Sequence, residues 1–337
     1  MLTAIDLFAG CGGLSRGLKD ASFRVIGAVE IDSKARETYT LNHPEVPLIG
    51  RDIRELECQT ILDDLGLAVG DLDLLAGCPP CQGFSSMRRK NKSRAVADER
   101  NALIDEFYRL ALGLRPKLIM MENVPAIAKY RKFSSMLSGL KKAGYSIDYK
   151  VLDVSDYGVP QRRKRLIVSA NRTGKAVLAV PSSEKITVRT AIGHLKVPGE
   201  SGDPMHDFPV NRTARIQALI ASIPPDGGSR DSLPPAMQLS CHQKVNGFND
   251  VYGRMSWEDV SPTITGGCVN PSKGRFLHPV QNRAITLREA AILQGFPECY
   301  IFNPTHGKES ISLMIGNALP PSFISKHAIA MSESINS

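Results

Sequence analysis

Over the first 170 residues, short apolar runs alternate with stretches whose apolar residues recur every three or four positions. The runs are TAIDLFA, RVIGAVEI, PLIG, LDLLAG, KLIMMENV, YSIDYKVLDV and RLIVSA, which read as strands, several of them buried on both faces. Between the fourth and fifth, Leu103, Ile104, Phe107, Leu110, Ala111 and Leu114 recur at helical spacing, and Pro116 follows as a stop. Asp32, before SKARETY, reads as a helix cap. The alternation predicts an α/β fold in which a mostly parallel sheet is covered by helices on both faces. From about Pro181 the texture becomes Pro- and Gly-punctuated, with IPPDGGSRDSLPP in the middle, which predicts a second, smaller, loop-rich domain. Helical spacing returns in LREAAILQGF and, after the turn-forming GNALPP, in SFISKHAIAM.

Composition narrows this picture. With 42% hydrophobic and 23% charged residues in 337, the chain is that of a folded globular protein. No window approaches the roughly 18 consecutive apolar residues of a membrane span, and the N-terminus enters a strand without a basic leader, so neither membrane insertion nor secretion is expected. Seven cysteines, an odd number without regular spacing, suit a reducing cytoplasm better than a disulfide framework. Lys plus Arg exceeds Asp plus Glu by 42 to 34, and the excess is concentrated: residues 82–100 hold six bases against two acids, and 161–175 hold six bases and no acid. Two basic segments so placed point toward a polyanionic partner.

The candidate chemistry sits at predicted strand ends. DLFAGCGG, residues 6–13, puts glycines where a tight turn lets backbone N–H groups approach a ligand at a helix N-terminus. The dinucleotide fingerprint would need a third glycine where Ser15 stands, so the turn does not read as a pyrophosphate site. Glu30 ends the second strand, where an acid can accept from a ribose diol, and Asp52 follows the third. Together they suit a nucleoside that carries no pyrophosphate.

The fourth strand ends in GCPPCQGFS. Cys78 and Cys81 lack the second ligand pair a zinc site wants, and two prolines between them are unusual for a redox pair. The prolines instead make a stiff turn able to hold one thiol, that of Cys81, at the sheet edge. MENVPA puts Glu122 where the strand ends converge, as a carboxylate able to give or take a proton. In QRRKR, Arg163 and Arg165 stand two apart and should point the same way if the following strand starts early.

Read in order, DLFAGCGG, Glu30, Asp52, GCPPCQGFS, MENV, YGVPQRRKR, LREAAILQGFP and GNALPP closely resemble the motifs of the DNA cytosine-5 methyltransferase family, from Asp6 to Pro321. The resemblance implies a Rossmann-like class I core, residues 1–180 with 305–337 returning to it, and a target-recognition domain with its hinge over 181–300. It implies S-adenosylmethionine as cofactor, leaving as S-adenosylhomocysteine. Phe8, Gly10, Cys11, Gly12, Gly13, Leu14, Glu30, Ile31, Asp52, Ile53 and Pro80 would hold it, and Asn317 would close the pocket. No metal is expected.

The same resemblance implies a mechanism and a substrate. Cys81 would attack carbon 6 of a cytosine flipped out of duplex DNA, Glu122 would stabilise a proton at ring nitrogen 3, Arg165 would meet the base carbonyl, and Arg163 would lie near phosphate and the cysteine turn. Ser85, Arg88, Arg89 and Arg94, directly after the nucleophile, would contact DNA phosphates. In the second domain Arg212, Arg215, Arg230, Lys244, Arg254 and Lys273 are available for bases or phosphates, Arg254 being taken as a contact. The expected protein is a bacterial modification enzyme in the cytoplasm, at the nucleoid, with a cognate restriction endonuclease as a functional partner. The alternatives are a transfer-RNA cytosine-5 methyltransferase, a catalytically silent DNA-binding relative and, from the glycine turn and Glu30 alone, a nicotinamide-dependent oxidoreductase.

Overall fold

The computed structural model describes residues 1–80, 103–234, 237–238 and 250–335. Its contacts divide the chain into two units: Met1–Tyr157 with Lys164–Ser182 and Leu319–Ser337, and Gly158–Arg163 with Ser183–Ala318.

The first unit is built on a seven-stranded sheet: β1 (Thr3–Leu7), β2 (Arg24–Val29), β3 (Leu48–Gly50), β4 (Leu74–Gly77), β5 (Leu118–Asn123), β6 (Ser146–Asp153) and β7 (Lys164–Asn171), in the order β3-β2-β1-β4-β5-β7-β6. All seven predicted runs are strands. β1 to β5 pair in parallel, whereas β7 runs antiparallel to both β5 and β6. The helices are α1 (Gly13–Asp20), α2 (Ser33–Asn42), α3 (Cys58–Leu65), α4 (Leu103–Leu114), α5 (Arg131–Lys142) and, at the chain's end, α10 (Pro321–Glu333). Asp32 caps α2 by accepting the Ala35 N–H, as its position suggests. The apolar face of α4 buries Phe107, Leu110 and Leu114 in a core with Leu75, Ile119 and Met121, and Phe133 and Leu140 of α5 join it.

The last helix closes on the first through a small residue. A Cβ on Gly17 would lie 2.5 Å from the Pro321 carbonyl and 2.7 Å from Ile324 Cβ, so glycine lets α10 approach α1 directly. Beside this contact, His327 of α10 is fully buried, its ring 4.8 Å from Tyr157 and 4.6 Å from Phe323. Its Nδ1 accepts the Ala179 N–H, which leaves the proton on Nε2, and burial pushes its pKa down to about 4. The unfolded chain takes up this proton near pH 6.5, so the group favours the folded state fully above that pH and loses its contribution as pH falls toward 4. The loss is about 3 kcal/mol. We therefore expect His327→Gln, which keeps an acceptor, to narrow its stability gap to the unsubstituted protein by about that amount between pH 7 and pH 4 in denaturant titrations. A gap constant with pH would show that His327 does not titrate across folding.

Among the described residues, the helices of the second unit are α6 (Val188–Ile192), α7 (Ala214–Ser222), α8 (Leu287–Leu293) and α9 (Lys308–Asn317). Its core gathers Leu219, Ile220, Leu233, Val251, Tyr252 and Leu277 from loops and α7. The LREAAIL segment starts cleanly because Thr286 and Glu289 form a reciprocal capping box. The chain re-enters the first unit at Leu319, not at 305: Ser312 of α9 donates to the Gly266 carbonyl, and Gly316 lies so close to the Thr265 backbone that a Cβ would fall 2.2 Å from its carbonyl carbon.

Candidate active site

Register places the chemistry. Leu7 of β1 pairs with Val29 of β2 and Gly77 of β4, Val29 with Gly50 of β3, and Gly77 with Met121 of β5. These five residues mark one level across the sheet, so Phe8, Glu30, Asp52, Cys78 and Glu122 all follow it on the carboxyl edge, where open α/β sheets take their ligands. The antiparallel β7 brings its beginning to the same edge, since Glu122 pairs with Ile167 and Asn123 with Leu166. Arg165 therefore arrives beside β5 although it is 43 positions away in the chain.

At the first strand end the backbone turns through left-handed conformations at Phe8 (φ 64°), Gly10 (φ 57°) and Gly12 (φ 98°). Such a φ is unusual for a bulky residue, and Phe8 holds it at the start of the glycine turn. Among the described residues, no atom lies within 4 Å of the position a Cβ would take at Gly10. The two Glu30 oxygens accept the Gly10 and Asp32 N–H groups at 2.7 and 2.8 Å, which fixes the carboxylate against the turn. Ile31 is 62% exposed beside it, whereas Ile53, Cys11 and Leu14 are buried. Burial pushes the Cys11 thiol up to about 12, so it contributes backbone and shape to the turn. Gly13 opens α1, and Pro80 is half-buried at the end of the described segment.

Ser15, the residue that breaks the dinucleotide fingerprint, has a structural task. Its hydroxyl donates to Asp6 at 2.6 Å and meets the Tyr39 hydroxyl at 2.8 Å, tying α1 to β1 and α2 beneath the turn. Desolvation pushes the fully buried Asp6 carboxyl up to about 7. His43, driven down to about 4 by burial and by Lys19, holds the Gly12 carbonyl at 3.2 Å. Asp52 caps a short 3-10 turn and is held by Arg54, whose guanidinium lowers its pKa by hydrogen bonding, so the carboxylate is ionised and already engaged.

At the fourth and fifth strand ends, Glu122 is 2% exposed and Arg165 Nε lies 2.9 Å from its Oε1. Asn123 donates to the Pro79 carbonyl at 2.8 Å, anchoring the Pro-Pro turn to β5. Cys81, Ser85, Arg88, Arg89 and Arg94 lie outside the described residues, as does Lys244. Sequence reasoning missed Asn123 and Cys78, although both sit inside motifs it had isolated.

Arg163 and Arg165 meet different groups among the described residues. β7 begins only at Lys164, and Arg163, buried in the second unit, donates to the Ile264 and Gly316 carbonyls at 2.9 and 3.1 Å. It thereby fastens the backbone next to Asn317, which is exposed at the end of α9. Gln161 adds to this strap by donating to Leu293 and Gln294 and accepting from the Ile264 N–H.

Arg254 is a correction. Taken as a DNA contact, it is 1% exposed, and all five of its N–H donors are used: on the carbonyls of Ile220, Ile223, His278 and Gln281 and on Asn282 Oδ1. None remains for a phosphate or a base. Arg230 is also buried, Arg212 is half-buried, and Arg215 and Lys273 are exposed.

A mostly parallel sheet with this strand order, a glycine turn after β1 and an acid after β2 define the class I S-adenosylmethionine-dependent methyltransferase fold. The chain belongs to the C-5 cytosine-specific DNA methylase family, whose model matches residues 2–333. It is 34% identical to Type II methylase M.HgiDII of Herpetosiphon aurantiacus, over 94% of this chain and 91% of that one. It is 31% identical to Type II methyltransferase M1.HphI of Haemophilus parahaemolyticus, over 95% and 84%. Among solved structures, a prophage-encoded E. coli protein assigned as a DNA modification methyltransferase superposes with TM-score 0.76 at 25% identity, covering 100% of both chains. The S. pombe Dnmt2 methyltransferase shares the fold, with TM-score 0.62 at 17% identity over the full length of both chains. By family, the protein is a DNA (cytosine-5)-methyltransferase.

Proposed function

We propose that the chain methylates carbon 5 of a cytosine in a specific duplex DNA sequence, as the modification partner of a restriction endonuclease in the bacterial cytoplasm. The observation that carries the reading is the Glu122–Arg165 pair, 2.9 Å apart, with the carboxylate buried and the guanidinium half-buried, on the strand edge from which the sequence continues through Pro79 and Pro80 to Cys81. A buried acid paired with a guanidinium, on an edge from which a Pro-Pro-Cys sequence continues, suits addition to a pyrimidine.

The residues at the first three strand ends fit the cofactor. The open space over Gly10 admits a ligand against the backbone, and Glu30, held by two N–H groups, retains lone pairs for a diol. When bound, S-adenosylmethionine supplies a methyl group on a sulfonium and leaves as S-adenosylhomocysteine. Phe8, Gly10 to Leu14, Glu30, Ile31, Asp52, Ile53 and Pro80 are proposed to hold it.

The chain's own chemistry begins at sulfur. The Cys81 thiolate forms a bond to carbon 6 of an extruded cytosine, and the displaced ring electrons make carbon 5 nucleophilic. Glu122 holds the proton at ring nitrogen 3, and Arg165, at its side, faces the carbonyl on which charge grows. After carbon 5 has been alkylated it gives its proton to solvent, the carbon–hydrogen electron pair re-forms the double bond between carbons 5 and 6, and the Cys81 sulfur leaves as thiolate. Ser85, Arg88, Arg89 and Arg94 are proposed to grip the phosphates that offset the cost of extrusion.

Incubating the purified protein with cofactor and genomic DNA, followed by bisulfite sequencing, tests the reading. Protected cytosines in one recurring sequence are expected. Protection confined to transfer RNA in a parallel assay, or none at all, would overturn it.

A further inference from the structure

We propose that Cys78 is a positioning residue for Glu122, and so a second thiol on which the reaction depends. The inference rests on the proposed chemistry of Glu122 and deepens it. Cys78 follows β4 directly, its backbone N–H reaching the Leu7 carbonyl, and its half-buried thiol donates to Glu122 Oε2 at 3.1 Å. The other oxygen, Oε1, meets Arg165 at 2.9 Å as an ion pair without hydrogen-bond alignment. Among the described residues, the S–H bond is thus the directional contact to this carboxylate.

Direction matters here because a glutamate's terminal torsion is broad and roughly two-fold, so its own rotamer does not fix the plane of the carboxylate. Arg165 supplies charge but little orientation. The Cys78 thiol pins Oε2, and Asn123 and the Pro79 carbonyl lock the turn carrying Cys78 to the strand carrying Glu122. One carboxylate oxygen is then presented at a set angle to a ring nitrogen, and reacting geometry is sensitive to errors of this size. The same short turn that leads to the nucleophile therefore also orients the acid.

The test compares the unsubstituted protein with Cys78→Ala and Cys78→Val, which lack the donor, and with Cys78→Ser, which restores one. The readouts are kcat, KM for S-adenosylmethionine and thermal melting. We expect kcat to fall roughly tenfold in the Ala and Val variants, KM for the cofactor to stay within about twofold, and Ser to return kcat to within about threefold. The positioning role is overturned if either donor-free variant keeps full kcat, or if Ser is as slow as Ala. It is also overturned if both donor-free variants fail to fold while Ser folds, because the thiol would then serve stability alone. An unsubstituted protein that methylates no DNA would sink the reading of the site as well, whereas an active one with a fully active Ala variant sinks this proposal only.

Discussion

Cys81→Ser is expected to abolish methyl transfer, lowering kcat by at least about 10³-fold, while cofactor affinity is retained. Carbon 5 of cytosine is too poor a nucleophile to take a methyl group unaided, so the rate depends on the fraction of enzyme that presents an anion to carbon 6. An ordinary thiol near pKa 8.5 is already a few per cent thiolate at pH 7, and neighbouring cations raise that share, whereas a serine hydroxyl offers no comparable anion without a dedicated base. Cofactor affinity should survive because all the proposed cofactor residues of this unit but Pro80 lie on the first three strand ends, with Glu30 fixed by Gly10 and Asp32. The companion measurement uses duplex DNA with 5-fluorocytosine at the target. Carbon 5 then carries no removable proton, the Cys81 bond cannot break, and protein and DNA should stay joined under denaturing electrophoresis. Residual turnover within tenfold of the unsubstituted protein, or no trapped complex from a protein active on ordinary DNA, would reject covalent catalysis.

The parts of this site that rest on backbone level were legible in the sequence. Strand runs fix where strands end, and a parallel sheet brings those ends to one edge, so Glu30, Asp52 and Glu122 could be placed together from the sequence. The antiparallel turn of β7 was not legible, since an apolar run such as RLIVSA carries no sign of its direction. That direction is what delivers Arg165 to Glu122. Side-chain partners were harder still. Ser15 looked like a defect in a glycine motif and is a bond between helix and strand. Asn123 looked like part of a string and is the tie to Pro79. Arg163 and Arg254 looked like cations awaiting an anion, and both donate to backbone carbonyls. Composition counts charges; whether loops fold around an arginine depends on long-range packing that no local pattern records.

Arg254 yields the largest expected effect on stability. Its guanidinium solvates four carbonyls and one amide oxygen drawn from α7, the loop after it and the segment near His278, in a unit with few strands or helices to satisfy them otherwise. Arg254→Met keeps much of the stem and removes every donor. Each buried acceptor left unpaired costs about 1–3 kcal/mol, and although water and relaxation recover part of the sum, a net loss of about 4 kcal/mol or more is expected. Arg254→Lys can offer at most three donors from a single point, cannot reproduce the planar fork, and should fall between the two. Denaturant titration of the three proteins checks the order. A phosphate contact predicts the opposite pattern: unchanged midpoints in all three, with the salt dependence of DNA binding weakened by about one counterion in the Met variant. Unchanged midpoints would therefore return Arg254 to the DNA-binding surface.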